Sequence, residues 1–299
     1  MNGYATVRRW FGIGRAVGWP QASRRQRWTV SLGAICALSI VTGGLLAAAG
    51  VGRPGPLVPL PTAAANQARA AAWIVQQVSP GVPVACDRAM GRQLRASGFP
   101  AARLRPLPPA ASSTLGSGLV VSTPAVRNQF GTSLATAYAP LVIADFGFGA
   151  ERVDVRVIAS DGAAAFKSQL AADHAFSVSA GAQLLRNQNL QVSPAARAVL
   201  LAGGADSRLL ATVSVLAAEM PVQLVLFDDP APGATPAVPL RGAEIGARSP
   251  AGLSAVLAFL HAQRGTYRPA AVSVASGVSG QPVVAVRFDA PGVLVAGAS

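Results

Sequence analysis

The longest apolar stretch of the chain lies near its start. Residues 28–52 read WTVSLGAICALSIVTGGLLAAAGVG and include no charged side chain. A helix of this length, rising about 1.5 Å per residue, spans the roughly 30 Å hydrocarbon core of a bilayer. The pattern therefore predicts a transmembrane helix at 28–52. A cleaved signal peptide is the alternative interpretation, because the alanines at 47–49 are small enough for a signal peptidase.

Charge around this stretch predicts its orientation. Residues 1–27 contain six arginines and no acid, and the positive-inside rule places such a basic tail in the cytoplasm. A buried core helix, the third interpretation, would leave these arginines unexplained. The next ten residues, 53–62, include four prolines, a composition typical of a stiff linker. We therefore expect a single-pass protein of the cell membrane whose remaining chain is extracytoplasmic.

Beyond the linker, short apolar runs alternate with segments of helical periodicity. The predicted strands are 82–86, 103–107, 118–122 and 141–144, and the predicted helices are 63–78, 88–96 and 124–138. Strands that alternate with helices favour crossover connections and a parallel sheet buried on both faces. This pattern predicts an α/β lobe at 63–149 with a mainly parallel sheet.

A second α/β lobe is expected at 150–299. Residues 152–159 (RVDVRVIA) alternate between apolar and polar, which predicts a half-buried strand at an edge or in a separate sheet. A helical block follows as far as residue 220, and further strands are predicted at 222–227 and 238–245. The runs 271–275 and 282–288 resemble two paired strands of a hairpin.

Composition makes this a folded and cationic chain. Hydrophobic residues make up 51% and charged residues only 12% of the sequence, which argues against disorder. The formal net charge is +13, and it is unevenly distributed. Residues 53–144 contain eight arginines and one acid, whereas the lysine and ten arginines of residues 145–299 balance eleven acids. The excess of positive charge in the part expected to be extracytoplasmic therefore lies in residues 53–144.

Five of these arginines are expected to share one surface. Arg88, Arg92 and Arg95 recur at helical spacing, and Arg103 and Arg105 point the same way on a predicted strand. Such a surface suits anionic lipid headgroups, phosphorylated glycans or an acidic envelope protein; a merely solvated helix face is the alternative. The expected compartment excludes nucleic acid as a partner.

Polar residues at strand ends form a second candidate site. Asp87 follows the first strand, Ser122 and Thr123 follow the third, and Asp145 follows the fourth. In an open parallel sheet, ligands bind beyond the carboxyl ends of the strands. We therefore expect these residues to line a ligand crevice if their strands share one sheet. The alternative is that they cap the helices that follow.

The sequence assigns no catalytic chemistry. It contains no G-x-S-x-G, H-E-x-x-H or Walker motif and no Cys/His zinc spacing, so no catalytic residue, metal or cofactor is assigned. His174 and His261 each fall within a predicted helix. Cys86 is the sole cysteine beyond the transmembrane segment, and we expect it to be a small buried hydrophobe.

Two groups of residues carry a resemblance. Residues 72–74 (AWI) and 84–87 (VACD), with Leu94 and Gly98, resemble the extracytoplasmic domain of some actinobacterial lipid-linked-sugar glycosyltransferases, within residues 66–146. Residues 138–140, 153–156 and 206–210 are similar to uncharacterised actinobacterial single-pass membrane-anchored proteins. The multispan catalytic part of the transferases has no counterpart here. The resemblance thus implies an α/β domain in the cell envelope; it does not imply transferase activity, and it carries over no catalytic residue.

Three functions are compatible with these patterns. The first is a non-catalytic binding or scaffolding protein of the cell envelope, held by one helix. The second is an envelope hydrolase or transferase that uses Asp87, Ser122 and Asp145. The third is a pair of solute-binding lobes with a cleft between them.

Overall fold

The computed structural model describes residues 62–107, 115–116, 118–228, 231–277 and 280–291. The predicted tail, transmembrane helix and nearly all of the linker lie outside these residues, so the membrane anchor and its orientation stay predictions. The chain divides into residues 1–57 and a compact unit of residues 58–299, and all of the described residues belong to the second unit. Among the described residues, no helix has the length and apolarity needed to cross a bilayer.

Helices and strands together form an α/β fold, as predicted. The helices are α1 (Ala63–Gln77), α2 (Arg88–Ala96), α3 (Pro124–Phe130), α4 (Ala163–Leu184), α5 (Pro194–Leu201), α6 (Ser207–Glu219) and α7 (Pro250–Ala262). The strands are β1 (Val84–Cys86), β2 (Leu104–Pro106), β3 (Leu119–Ser122), β4 (Leu141–Phe146), β5 (Val153–Val157), β6 (Leu190–Val192), β7 (Val222–Asp228), β8 (Gly242–Ala247), β9 (Ala271–Ser276) and β10 (Pro282–Arg287).

Most of the helices begin at a residue whose side-chain oxygen accepts an N–H of the first turn. The capping residues are Thr62, Asp87, Thr123, Ser193, Asp206 and Ser249. Proline occupies the first position of α3, α5 and α7, where its missing N–H costs no hydrogen bond. Local sequence therefore sets where these helices start.

The first sheet is mixed, which corrects the expectation of a mainly parallel one. Its strand order is β2-β1-β3-β5-β4. Strand β1 is parallel to both neighbours, whereas β5 is antiparallel to β3 and to β4. The sheet is mixed because β5 inserts between two strands that run in the same direction.

The position of β5 corrects a second expectation. We expected residues 152–159 to form a half-buried strand at an edge or in a separate sheet, but every residue of β5 is buried. The alternation is real, yet its polar members Asp154 and Arg156 form an ion pair with each other instead of facing solvent. The first sheet therefore extends to Val157, beyond residue 149 where we expected the first lobe to end.

Helices cover both faces of the first sheet. Leu119, Val121 and Val155 lie on the face that packs against α1 and α2. Val120 lies on the opposite face, against Val126 of α3. Full burial of such a side chain contributes about 1.5–3 kcal/mol, so this sheet has an apolar core on each side. Its polar residues are concentrated toward the ends of β3, β4 and β5.

The second sheet has the strand order β6-β7-β8-β10-β9. It too is mixed, because β6 is parallel to β7 and the other pairs are antiparallel. The pairing of β9 with β10 confirms the predicted hairpin partners. Helices α4 to α7 pack on this sheet around one large apolar core, which includes Leu209, Leu216 and Leu260 of the helices and Leu224 and Ile245 of the strands.

Main-chain hydrogen bonds join the two sheet regions. The Asp145 N–H donates to the Pro232 carbonyl at 2.7 Å, and the Thr235 N–H donates to the Val142 carbonyl at 3.2 Å. At another point, the Ala290 N–H donates to the Gln77 carbonyl at 2.7 Å. The regions are therefore in direct contact at more than one place.

Candidate functional site: a basic surface and a strand-end cluster

The outer face of α2 is basic. Arg88, Arg92 and Arg95 are exposed, whereas Met90 and Leu94 are buried in the core. This division follows from the helical repeat of 3.6 residues. Arg88 and Arg95 are seven residues apart, so the three guanidinium groups extend from about 10 Å of helix.

Two more arginines lie on the neighbouring edge of the sheet. Strand β2 is the edge strand beside β1, and α2 packs against it. Arg105 belongs to β2, but Arg103 ends the short 3-10 helix Ala101–Arg103. The expectation that both point the same way on one strand is therefore wrong, although both side chains are exposed. Arg105 is paired with Ala85, which belongs to the core on the α3 side, so Arg105 projects from the sheet face opposite α2. We call the exposed arginines of α2 and of this sheet edge (88, 92, 95, 103 and 105) the α2–β2 basic surface.

Within the described part of the chain, none of these five arginines forms an ion pair. Arg152, Arg156 and Arg208, by contrast, each form an ion pair. Arg105 has only a hydrogen bond of 3.3 Å, from Nη1 to the Ala102 carbonyl. Since screening in physiological salt acts over about 8–10 Å, neighbouring charges on this surface reinforce one another. The surface is suited to attract and hold a polyanion.

The strand-end residues Asp87 and Thr123 do lie together, but as helix caps. Oδ1 of Asp87 accepts the Met90 N–H at 2.8 Å, and the Thr123 hydroxyl accepts the Val126 N–H at 3.3 Å. The same hydroxyl donates a short hydrogen bond to the other carboxylate oxygen of Asp87. One contact thus joins the starts of two helices. Capping, the alternative interpretation of these residues, is what the structure shows.

Ser122 and Asp145 lie in one row across the sheet, on either side of Asp154. Ser122 is paired with Asp154, and Asp154 is paired with Asp145. Two strand spacings place the Cα atoms of Ser122 and Asp145 about 10 Å apart. Ser122 is fully buried, and its hydroxyl has no hydrogen-bond partner among the described residues.

Asp154 is the centre of an ionic cluster that sequence reasoning missed. It is completely buried, and its carboxylate lies 2.8 Å from Nε of Arg152 and 3.3 Å from Nε of Arg156. Arg156 also donates through Nη1 to the Ala139 carbonyl at 2.8 Å. The available signal was the order Arg-x-Asp-x-Arg, which places opposite charges on one face of a strand.

The surroundings of this cluster shift two pKa values. Burial, and secondly the charge of Asp154, raise the pKa of the Asp145 carboxyl, while Arg152 at 3.9 Å opposes the shift. Burial lowers the pKa of the Arg127 guanidinium, against the influence of Asp154. Arg127 donates to the carbonyls of Ser122 at 2.9 Å and Ala150 at 2.7 Å. Its guanidinium therefore ties β3 to the segment before β5.

The strand-end groups are thus engaged in holding the fold together. Asp87 and Thr123 cap helices, and Asp154 is occupied by two arginines. Ser122 has no histidine or carboxylate base bonded to its hydroxyl among the described residues. The described residues also contain no group of three or more His, Cys, Asp or Glu side chains suited to a metal ion. These contacts stabilise the sheet and the helices beside it, and none of them activates the Ser122 hydroxyl as a nucleophile.

Cys86 confirms the expectation of a buried, unpaired thiol. Only 3% of its surface is exposed. Burial, and then the neighbouring charge of Asp87, raise the pKa of the thiol to about 11. The thiol is therefore protonated at neutral pH and is a poor nucleophile in the folded chain.

Comparison of the chain with family models, curated proteins and solved structures gave no match.

Proposed function

We propose that this protein is a membrane-anchored, extracytoplasmic binding or scaffolding protein of the cell envelope, and that the α2–β2 basic surface recognises an anionic partner. One observation carries the proposal. Arg88, Arg92 and Arg95 share the exposed face of α2, Arg103 and Arg105 are exposed at the neighbouring sheet edge, and none of the five forms an ion pair with a described residue.

The chemistry of arginine favours a phosphorylated or carboxylated ligand. A guanidinium presents a planar fork of N–H donors that matches two oxygens of a phosphate or carboxylate at once. Several such forks on about 10 Å of helix match the repeated anions of a polymer better than one isolated anion. A phosphate-bearing glycan of the envelope is therefore the partner class that we favour.

The predicted anchor fits the same proposal. A transmembrane helix at 28–52 and an extended proline-rich linker at 53–62 would hold the domain within about 30 Å of the bilayer surface. Tethering keeps a modest binding surface near envelope polymers, so that weak individual contacts suffice for occupancy.

Structural observations weigh against the two other functions. The hydrolase or transferase interpretation needed Asp87, Ser122 and Asp145 to be free for chemistry, but Asp87 is a helix cap. The solute-binding interpretation needed an open cleft, whereas the Asp145 and Thr235 N–H groups bond across the two sheet regions.

The experiment that tests the proposal is a pull-down from detergent extracts of cell envelope. The full chain should recover phosphate-bearing glycan, and the variant R88Q/R92Q/R95Q should recover much less. The matched control R186Q/R197Q/R248Q removes three exposed arginines from the electroneutral half and should behave as the wild type. Equal recovery by both triple variants would overturn the proposal.

A further inference from the structure

Strand β9 leaves one edge of the second sheet open. Among the residues that the structure describes, it pairs with β10 alone, and it ends the strand order of its sheet. Its six residues, AVSVAS, include no charge and no proline. Val274 in the middle of the strand is 55% exposed. An uncharged edge of this length is a template on which another extended chain can add a strand.

Hydrogen bonds of the neighbouring strands show which main-chain groups are free. The Gly277 N–H donates to the Gln281 carbonyl at 2.8 Å, so odd-numbered residues at this edge bond toward β10. Because main-chain groups alternate sides along an antiparallel strand, those of Val272, Val274 and Ser276 lie on the open side. The open edge thus offers a ladder of donors and acceptors.

A cationic groove lies at the beginning of this edge. It has a volume of about 440 Å³ and lies between the end of α7 and the start of β9, with His261, Arg264, Arg268 and Ala271 in its lining. Arg264 and Arg268 are exposed, and neither forms an ion pair with a described residue. Arg264 Nη1 donates to the carbonyls of His261 and Gln263, each at 3.0 Å. The C-terminal end of α7 carries a partial negative charge of about half an elementary charge. This charge offsets the two positive charges of Arg264 and Arg268 only in part.

The direction of β9 determines which end of an added strand lies beside the cationic groove. A chain that pairs antiparallel with β9 has its carboxyl end beside Ala271, where the groove begins. Acidic side chains at that end of the added strand would then face Arg264 and Arg268. We infer that the β9 edge and this groove form a binding site for an extended polypeptide segment whose carboxyl end carries acidic residues. Main-chain bonds supply affinity, and the two arginines select the acidic sequence.

This site is separate from the α2–β2 basic surface, since it belongs to the other sheet. Its test uses the full chain in detergent micelles and a fluorescent octapeptide, amidated at its end, with three Thr-Val repeats followed by Glu-Glu. Fluorescence anisotropy should show binding to the wild type. The variant R264Q/R268Q should bind about tenfold more weakly, while R186Q/R197Q and R88Q/R92Q/R95Q should bind like the wild type.

A peptide ending in Gln-Gln isolates the ionic contribution. It should bind about tenfold more weakly than the acidic peptide to the wild type, and equally to the wild type and R264Q/R268Q. Equal binding of both peptides to the wild type would overturn the assignment of the groove to acidic residues.

Strand addition has its own test. Val274→Pro removes a donor on the open side without touching the ladder to β10, and it should abolish binding; Val274→Thr keeps the donor and should bind within about twofold of the wild type. An octapeptide N-methylated at alternate residues, on the side that faces β9, makes the same test on the unaltered protein. Undiminished binding of the methylated peptide would overturn the inference. A second result would also overturn it. The full chain would bind no peptide and would form a dimer that Val274→Pro dissociates, so that the β9 edge would pair with a second copy of the chain.

Discussion

The two five-stranded sheets differ in how they treat charge. In the first, the second-to-last strand β5 carries Asp154 and Arg156 into the interior, where they pair with each other. In the second, the central strands β7 and β8 place Leu224 and Ile245 in an apolar cluster, and Glu244 of β8 is only partly buried. A sheet that buries a carboxylate depends on its partners, because an unpaired buried charge costs several kcal/mol. The core of the second sheet depends mainly on the packing of its apolar side chains, although an ion pair between Asp206 and Arg208 is buried at the start of α6.

The edges of the two sheets differ in the same way. Edge strand β2 has only three residues and carries Arg105 and Pro106, features that prevent another strand from pairing. Edge strand β9 has six residues and neither feature. The β2 edge of the first sheet is thus protected from pairing with another strand and exposes a charged side chain. The β9 edge of the second sheet exposes main-chain donors and acceptors with which another strand can pair.

The largest effect is expected at the centre of the first sheet. Asp154→Ala leaves Arg156 buried without its carboxylate and should lower the free energy of unfolding by about 3–5 kcal/mol. Unfolding of the full chain in guanidinium chloride, monitored by circular dichroism, measures this loss. Arg152→Ala is the control, because that arginine is 40% exposed in its side chain and should cost less than about 1 kcal/mol. If Asp154→Ala costs no more than Arg152→Ala, the ionic cluster does not hold the sheet.

Cys86 reports on the opening of the first sheet. In a Cys36→Ser background it is the sole thiol, and its pKa is raised to about 11. The folded chain should therefore react with iodoacetamide at least about a hundredfold more slowly than the unfolded chain. Asp154→Ala should accelerate labelling more than Leu224→Ala in the second sheet. Equal acceleration would mean that the two sheets open together.

Substitution of one helix cap in each region should lower the free energy of unfolding by a smaller amount. Thr123 and Ser193 each cap a helix that begins with proline. Ser193→Ala should cost about 1 kcal/mol. Each hydroxyl also donates a further hydrogen bond, that of Ser193 to the Val225 carbonyl at 2.6 Å and that of Thr123 to the Asp87 carboxylate. Thr123→Ala should cost about 2 kcal/mol, because a hydrogen bond to a charged carboxylate is stronger than one to a neutral carbonyl. Thermal unfolding of both variants measures the difference. A smaller loss for Thr123→Ala would contradict the importance of the Asp87 contact.

The smallest effect concerns Asp145. Its pKa is raised in the folded chain by burial and by Asp154, so the protonated carboxyl favours folding and the ionised one opposes it. The contribution of this group is fully present below the pKa of the unfolded chain, and it is lost as pH rises through the folded pKa. Asp145→Asn should therefore stabilise the chain at pH 7 by less than about 1 kcal/mol. The gain should vanish in acid, and a gain that persists there would contradict this cause.

Local signals predicted much of the fold. Apolar runs and capping residues identified most helices and strands, since these depend on neighbours in sequence. Strand order depends on contacts between distant residues, and it could not be obtained from short apolar runs. The case of β5 shows why: alternation predicts one polar face, but it does not reveal whether solvent or a buried partner satisfies that face.

The candidate sites divide in the same manner. Helical spacing placed Arg88, Arg92 and Arg95 on one exposed face. The strand-end residues were expected to line a ligand crevice, but the structure gives Asp87 and Thr123 the role of helix caps that bond to each other. The open edge of β9 followed only from the sheet order.

The most direct test of the proposed function is the affinity of the full chain, in detergent micelles, for polyglycerol phosphate, measured by isothermal titration calorimetry. We expect binding that weakens as salt rises from about 0.05 M to about 0.5 M. R88Q/R92Q/R95Q should bind at least about tenfold more weakly and with less salt dependence, while R186Q/R197Q/R248Q should stay within about twofold of the wild type. Equal affinities for the wild type and R88Q/R92Q/R95Q would contradict a role for the α2–β2 basic surface in binding anions.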